Sequence, residues 1–144
     1  MDLNGDWQGI IIYGNGPKKI RGQKLFFEAQ IKQQKQTFTG LAKDTVGLGI
    51  HPEPAKLEGE INGNQISFTK QYPSFHYVGK KESVKFEESL KGPKIKYFGS
   101  IDTELETIEG VWEMKSKWYI FGLFPSTSKQ YGTWSLKRKI AGNT

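Results

Sequence analysis

Apolar and polar residues alternate along most of this chain with the two-residue period of a β-strand, in which successive side chains point to opposite faces of a sheet. The clearest run sets Leu25, Phe27, Ala29 and Ile31 against Lys24, Glu28, Gln30 and Lys32, with only Phe26 breaking the polar side. One face of such a strand is buried and the other is wet. The same alternation predicts strands over Asp6–Tyr13, Thr37–Asp44, Ala55–Ile61, Gln65–Tyr72, Lys94–Ile101, Ile108–Lys115 and Tyr131–Arg138. Between them stand turn signals: Gly14-Asn15-Gly16-Pro17, Gln33 to Gln36, Pro73, Lys91-Gly92-Pro93 and Thr103 to Glu106. Asn62-Gly63 is the strongest short hairpin signal of all.

Four stretches resist this reading. Thr45 to Pro54 is a loop by its Gly and Pro content, yet its Val46, Leu48 and Ile50 predict that it folds over one end of the sheet. Ser74 to Leu90 offers only short extended pieces around Phe75–Tyr77 and Val84–Phe86, which suits an edge strand or a wrapping segment. Ser116 to Pro125 is apolar almost without relief, as expected of a ninth strand buried on both faces or of a plug across a barrel end. Ile140 to Thr144 reads as a loose tail.

A Gly-x-Trp unit occurs three times, at Gly5-Asp6-Trp7, Gly110-Val111-Trp112 and Gly132-Thr133-Trp134. On a strand its Gly and Trp share a face, so the smallest side chain sits beside the largest, as in a closed, tapering sheet. Glycines 9, 40, 59, 99, 110 and 132 all fall in the inward phase. Eight strands joined by turns, with almost no helical periodicity, predict an all-β fold: an antiparallel up-and-down β-barrel of about eight strands, with residues 1–144 as one domain. Closure removes the sheet's edges, and at eight strands the interior is either filled by side chains or wide enough for one small ligand.

Composition sharpens the picture. Apolar residues make up 35% of the chain and aromatics 13%, so the core is built largely of rings, while 17 glycines argue against long helices. The net charge of +6 is spread over nearly every strand, which reads as a solvated basic surface; nucleic acid is not the expected partner. With no Cys, disulfides and thiolate chemistry are excluded. Neither a signal-like start nor an apolar run of about 18 residues is present, so a soluble, cytoplasmic protein without a membrane span is expected.

Leu3-Asn4-Gly5-Asp6-Trp7 resembles the Gly-x-Trp opening of the first strand of lipocalins and avidins, and Phe38-Thr39-Gly40 is similar to the Phe-Thr-Gly of the avidin third strand. The chain thus resembles the calycin group of up-and-down barrels, which also includes the fatty-acid-binding proteins. The resemblance implies a barrel. It does not imply biotin, because Trp112-Glu113-Met114 departs from the Trp-rich motifs by which avidins hold it. The mid-chain Thr-Asp-Tyr and C-terminal helix of lipocalins, and the two helices of fatty-acid-binding proteins, are not found in the sequence.

Three charges, Asp44, Lys70 and Arg138, fall in the inward phase near strand ends, where they must be paired, hydrated at a rim or used by a ligand. Trp7, Tyr13, Phe27, Tyr72, Tyr97, Trp112 and Trp134 share that phase and either line an aromatic pocket or fill the core. Together these ten residues are the candidate ligand-binding set, with Trp7, Trp112 and Tyr97 as walls of one mouth and Lys70 or Arg138 as partner to a small, partly apolar anion. His51 and His76 have no metal-ligand spacing, and neither a nucleophile elbow nor a phosphate loop occurs. A binding protein without catalysis, cofactor or metal is expected. The alternative is an interaction module with a filled barrel that meets protein or nucleic acid through its basic outer surface.

Overall fold

The computed structural model describes residues 2–15, 18, 20–47, 50–73, 75–78, 84–87, 94–120 and 124–139. Ten strands run through them: β1 (Gly5–Tyr13), β2 (Lys24–Gln34), β3 (Thr37–Gly47), β4 (Ala55–Asn62), β5 (Gln65–Gln71), β6 (Phe75–Val78), β7 (Val84–Glu87), β8 (Lys94–Asp102), β9 (Thr107–Ile120) and β10 (Phe124–Arg138). Eight close into a barrel in the order β1-β10-β9-β8-β5-β4-β3-β2, every pairing antiparallel. The protein is therefore all-β, with no helix among the described residues. Among those residues, no helix is long and apolar enough to cross a membrane.

The barrel has two unlike ends. Short turns at Lys35-Gln36, Gly63-Asn64 and Thr103–Glu106 gather at the lower end with the N-terminal residues. The last residues of β1, β3, β5 and β9 and the first residues of β2, β4, β8 and β10 lie at the upper end. Trp112 on β9 faces Gly132 on β10, and Trp134 faces Gly110, so the two late Gly-x-Trp units are reciprocal partners in register. A Cβ at Gly132 would stand 2.7 Å from Trp112 Nε1, and one at Gly110 would stand 1.8 Å from the Phe98 carbonyl oxygen. Neither site has room for a side chain.

Three expectations need correction. β3 continues past Asp44 to Gly47, because a bulge opposite Phe26/Phe27 absorbs an extra residue and leaves Thr45 and Val46 facing solvent. The apolar stretch from Ser116 is neither a ninth strand nor a plug: β9 carries through to Ile120 and β10 starts at Phe124, the two paired directly. Once β9 and β10 are in register, extending their ladder satisfies backbone groups that a plug would leave unpaired. The short extended pieces expected around Phe75–Tyr77 and Val84–Phe86 are present as β6 and β7, but they pair with each other as a separate two-stranded sheet and not as an edge strand of the barrel. Leu48, much of the 74–90 segment and the tail from Ile140 lie outside the described residues.

Candidate functional site

The lower end is sealed. Trp7 is fully buried, its Nε1 donates to the Leu3 carbonyl at 2.9 Å, and Leu3 itself has no exposed surface. Arg138 lies across the Trp7 ring at 4.5 Å from guanidinium carbon to centroid, a cation–π contact. Its Nη1 donates to the Asn4 carbonyl at 2.9 Å, its Nη2 donates to that of Asp2, and its Nε is 3.4 Å from a Glu106 carboxylate oxygen. Gln33 accepts from the Leu3 amide (2.8 Å), while the Asn4 side chain accepts from the Gln33 amide (2.7 Å). The arginine thus ties the N-terminal segment over the barrel floor.

The upper half differs because polar groups are buried inside it. Lys70 on β5 is 1% exposed and Asp44 on β3 is 5% exposed, with 3.7 Å between ammonium and carboxylate. Asp44 is well held: the Tyr72 hydroxyl lies 2.9 and 2.8 Å from its two oxygens, and the His51 amide donates to Oδ2 at 3.0 Å. The His51 ring stacks on Tyr72 at 5.0 Å, and its Nδ1 accepts from the Glu53 amide at 3.0 Å. Lys70 is held far less. Its Nζ makes no hydrogen bond among the described residues and instead sits 4.5 Å from the Phe27 ring centroid and 5.0 Å from that of Tyr72.

Phe27 reaches that position because Gly9 has no side chain; a Cβ there would be 2.1 Å from the ring. Tyr13 packs edge-on against Trp112 at 5.7 Å. Tyr97, 1% exposed, stacks on Phe68 at 4.6 Å, and its hydroxyl also has no hydrogen-bond partner among the described residues. Trp134, two residues nearer the lower end than Gly132, meets Phe68 and Tyr97 edge-on at 5.2 and 5.5 Å, with its Nε1 donating to the Val111 carbonyl (2.9 Å).

Burial sets the protonation of this cluster. It pushes the Tyr72, Tyr97 and Tyr13 hydroxyls well above the usual phenol range, and the Asp44 charge adds to each shift. Burial also lowers the Lys70 pKa, with Asp44 opposing that effect in part. Among the described residues, no group of three metal-ligating side chains occurs.

A solved structure titled as the rhizavidin–biotin complex superposes on 99% of this chain and 98% of its own, with a TM-score of 0.51 and 14% sequence identity. The barrel is avidin-like. No family model and no curated protein sequence matches the chain. At this identity the likeness establishes the fold of the avidin-like barrel and leaves its chemistry to be read from its own residues.

Within this avidin-like barrel, Tyr13, Phe27, Asp44, Lys70, Tyr72, Tyr97 and Trp112 come together in the upper half. Trp134 lies beneath them in the packed middle. Trp7 and Arg138 close the opposite end, so the mouth envisaged from sequence, with Trp7 as a wall and Arg138 as an alternative cation, does not form. The phase of a strand gives the face of a residue but not its level along the barrel, and Arg138 sits at the far end of β10 from Gln130. His51 is the residue that sequence reasoning passed over. The signal was the aliphatic content of its loop: Ile50 packs on the core, and the fully covered His51 follows it inward.

Proposed function

We infer that this protein binds a small, partly apolar molecule in the upper half of its barrel, with Lys70 and Tyr97 presenting donors to an oxygen acceptor of the ligand. The observation that carries the reading is the pair of fully buried polar groups, the Lys70 ammonium and the Tyr97 hydroxyl, that make no hydrogen bond among the described residues. An unsatisfied buried donor costs about 1–3 kcal/mol, more when charged, and a ligand oxygen would recover it. Phe27, Tyr72 and Trp112 supply the apolar walls that small-molecule sites require. The avidin-like fold supports binding over catalysis, and the biotin of the structural neighbour belongs in any screen, although Trp112-Glu113-Met114 argues against it as the ligand.

Charge narrows the ligand class. Asp44 already balances Lys70, so a ligand carboxylate would bring an uncompensated negative charge into a low-dielectric interior, whereas an uncharged carbonyl would keep the site neutral. The acceptor favoured here is therefore a neutral carbonyl rather than the anion expected from sequence. The test is a screen by thermal shift and tryptophan fluorescence using matched carboxylates, amides, ketones and aldehydes with the corresponding hydrocarbons, on wild type and Lys70→Met. Carbonyl compounds should raise the melting temperature of wild type and lose that effect in Lys70→Met. If no compound stabilises wild type, the cluster is only core.

One observation favours the interaction module as a second reading: Phe98 and Val111, both about half exposed, face each other across β8 and β9 on the outer surface. Loss of a partner on Val111→Lys, with small-molecule binding intact, would establish it.

A further inference from the structure

We propose that Lys70 captures an aldehyde covalently, as a reversible imine, which makes the upper half of the barrel a trap for aromatic or conjugated aldehydes. This deepens the binding reading above and rests on it. Three features of the geometry point the same way. The Lys70 nitrogen is enclosed but not tied down, for it makes no hydrogen bond among the described residues. It lies between the Phe27 and Tyr72 rings, 4.5 and 5.0 Å from their centroids, so a group joined to it would lie along flat aromatic walls. Asp44 stands 3.7 Å away, itself fixed by Tyr72 and His51, and can take a proton from the ammonium and return it.

The reaction balances within the site. The ammonium gives one proton to Asp44, and the free amine attacks the carbonyl carbon, forming a C–N bond as the carbonyl oxygen takes up that proton. The carbinolamine then breaks its C–O bond, and the hydroxyl departs as water with a second proton from nitrogen. The product is a protonated imine, N–H⁺, beside the Asp44 carboxylate. Three protons on nitrogen have become one, and two leave in the water, so no oxidant, reductant or outside proton is needed. Charge is conserved too: an iminium–carboxylate pair replaces an ammonium–carboxylate pair, and the buried site stays neutral. Burial assists the first step, since desolvation disfavours the ammonium. The Tyr97 hydroxyl, which has no hydrogen-bond partner among the described residues, can donate to the departing oxygen.

Cinnamaldehyde and cinnamyl alcohol are a suitable pair of probes, of equal size but with only the aldehyde able to form an imine. Wild-type protein is incubated with cinnamaldehyde and cyanoborohydride at neutral pH, and the modified lysines are mapped by peptide mass spectrometry. The Lys70 imine should be reduced to a stable adduct faster than imines at the exposed Lys24 or Lys96, since burial lowers the Lys70 pKa and so raises its free-amine fraction. In urea that preference should vanish, and in Lys70→Arg the dominant adduct should be absent. If both probes stabilise the protein equally and Lys70 is labelled no faster than the exposed lysines, the covalent step is wrong while the binding site stands. If neither probe binds or labels Lys70, the site itself falls.

Discussion

Replacing Asp44 by Asn removes one charge and little else, because an amide oxygen in the Oδ2 position can still accept from both the Tyr72 hydroxyl and the His51 amide. What it strands is Lys70, fully buried and left with two aromatic faces as its only company among the described residues. At the observed 3.7 Å and an effective dielectric of about 20, the Lys70–Asp44 attraction is about 4.5 kcal/mol. Asp44→Asn should therefore cost about 4 kcal/mol, within the range for breaking a buried pair from one side. Lys70→Met should cost less, about 2 kcal/mol, because Asp44 keeps two hydrogen bonds and Met fills the same volume. The double variant buries neither charge and should lie within about 1–2 kcal/mol of wild type. The coupling energy then comes to about 4–5 kcal/mol, matching the Coulomb figure. Urea unfolding followed by tryptophan fluorescence supplies all four stabilities. If the two single effects simply add, to within about 0.5 kcal/mol, Lys70 and Asp44 are not a buried pair and the cluster has been misread.

Other perturbations test neighbouring parts of the account. Gly110→Ala places a methyl group against the Phe98 backbone, which cannot move without breaking the β8–β9 ladder, and should cost about 3 kcal/mol by urea midpoint; a change below about 0.5 kcal/mol would contradict the packing. Arg138→Met should loosen the N-terminal segment at a cost of about 1–3 kcal/mol, seen as faster amide exchange at Leu3 and Asn4, while ligand binding in the upper half is unchanged. Alkaline pH should separate two effects. Tyr13, Tyr72 and Tyr97 keep their protons when folded but lose them near pH 10 when unfolded, so above pH 10 each lowers stability by about 1.4 kcal/mol per pH unit. Lys70 works the other way: its folded pKa is depressed, so stability rises with pH between that value and about 10.4. Urea midpoints should hold or rise up to about pH 10 and then fall steeply, with phenolate absorbance from these three tyrosines appearing only as the protein unfolds.

The barrel was legible because its signal is repeated: a two-residue period on strand after strand, punctuated by turns, leaves few other ways to bury one face of each. The inward phase of Asp44 and Lys70 was legible for the same reason, and the structure places both inside. Their mutual pairing was not, since β3 and β5 are separated by β4, and alternation within a strand does not tell which inward residues of non-adjacent strands meet across the barrel. Arg138 shows the complementary limit. Alternation put it on the inner face, but only the register of β10 with β1 sets it beside Trp7 at the lower end, away from the other charges. The long β9–β10 hairpin was hidden by its composition, because Trp118 to Ile120 are apolar in both phases and Ser126 to Gln130 are polar in both, which leaves no two-residue period to read.

The central claim is that the upper half of the barrel holds a carbonyl compound through Lys70 and Tyr97, and a crystal structure grown with the tightest-binding compound of the screen tests it most directly. The account predicts that the ligand oxygen, or the imine nitrogen formed in its place, lies beside Asp44 with the apolar part of the molecule between Phe27 and Tyr72. A ligand seated on the outer surface at Phe98 and Val111, with the Lys70 side chain as it stands now, would contradict it.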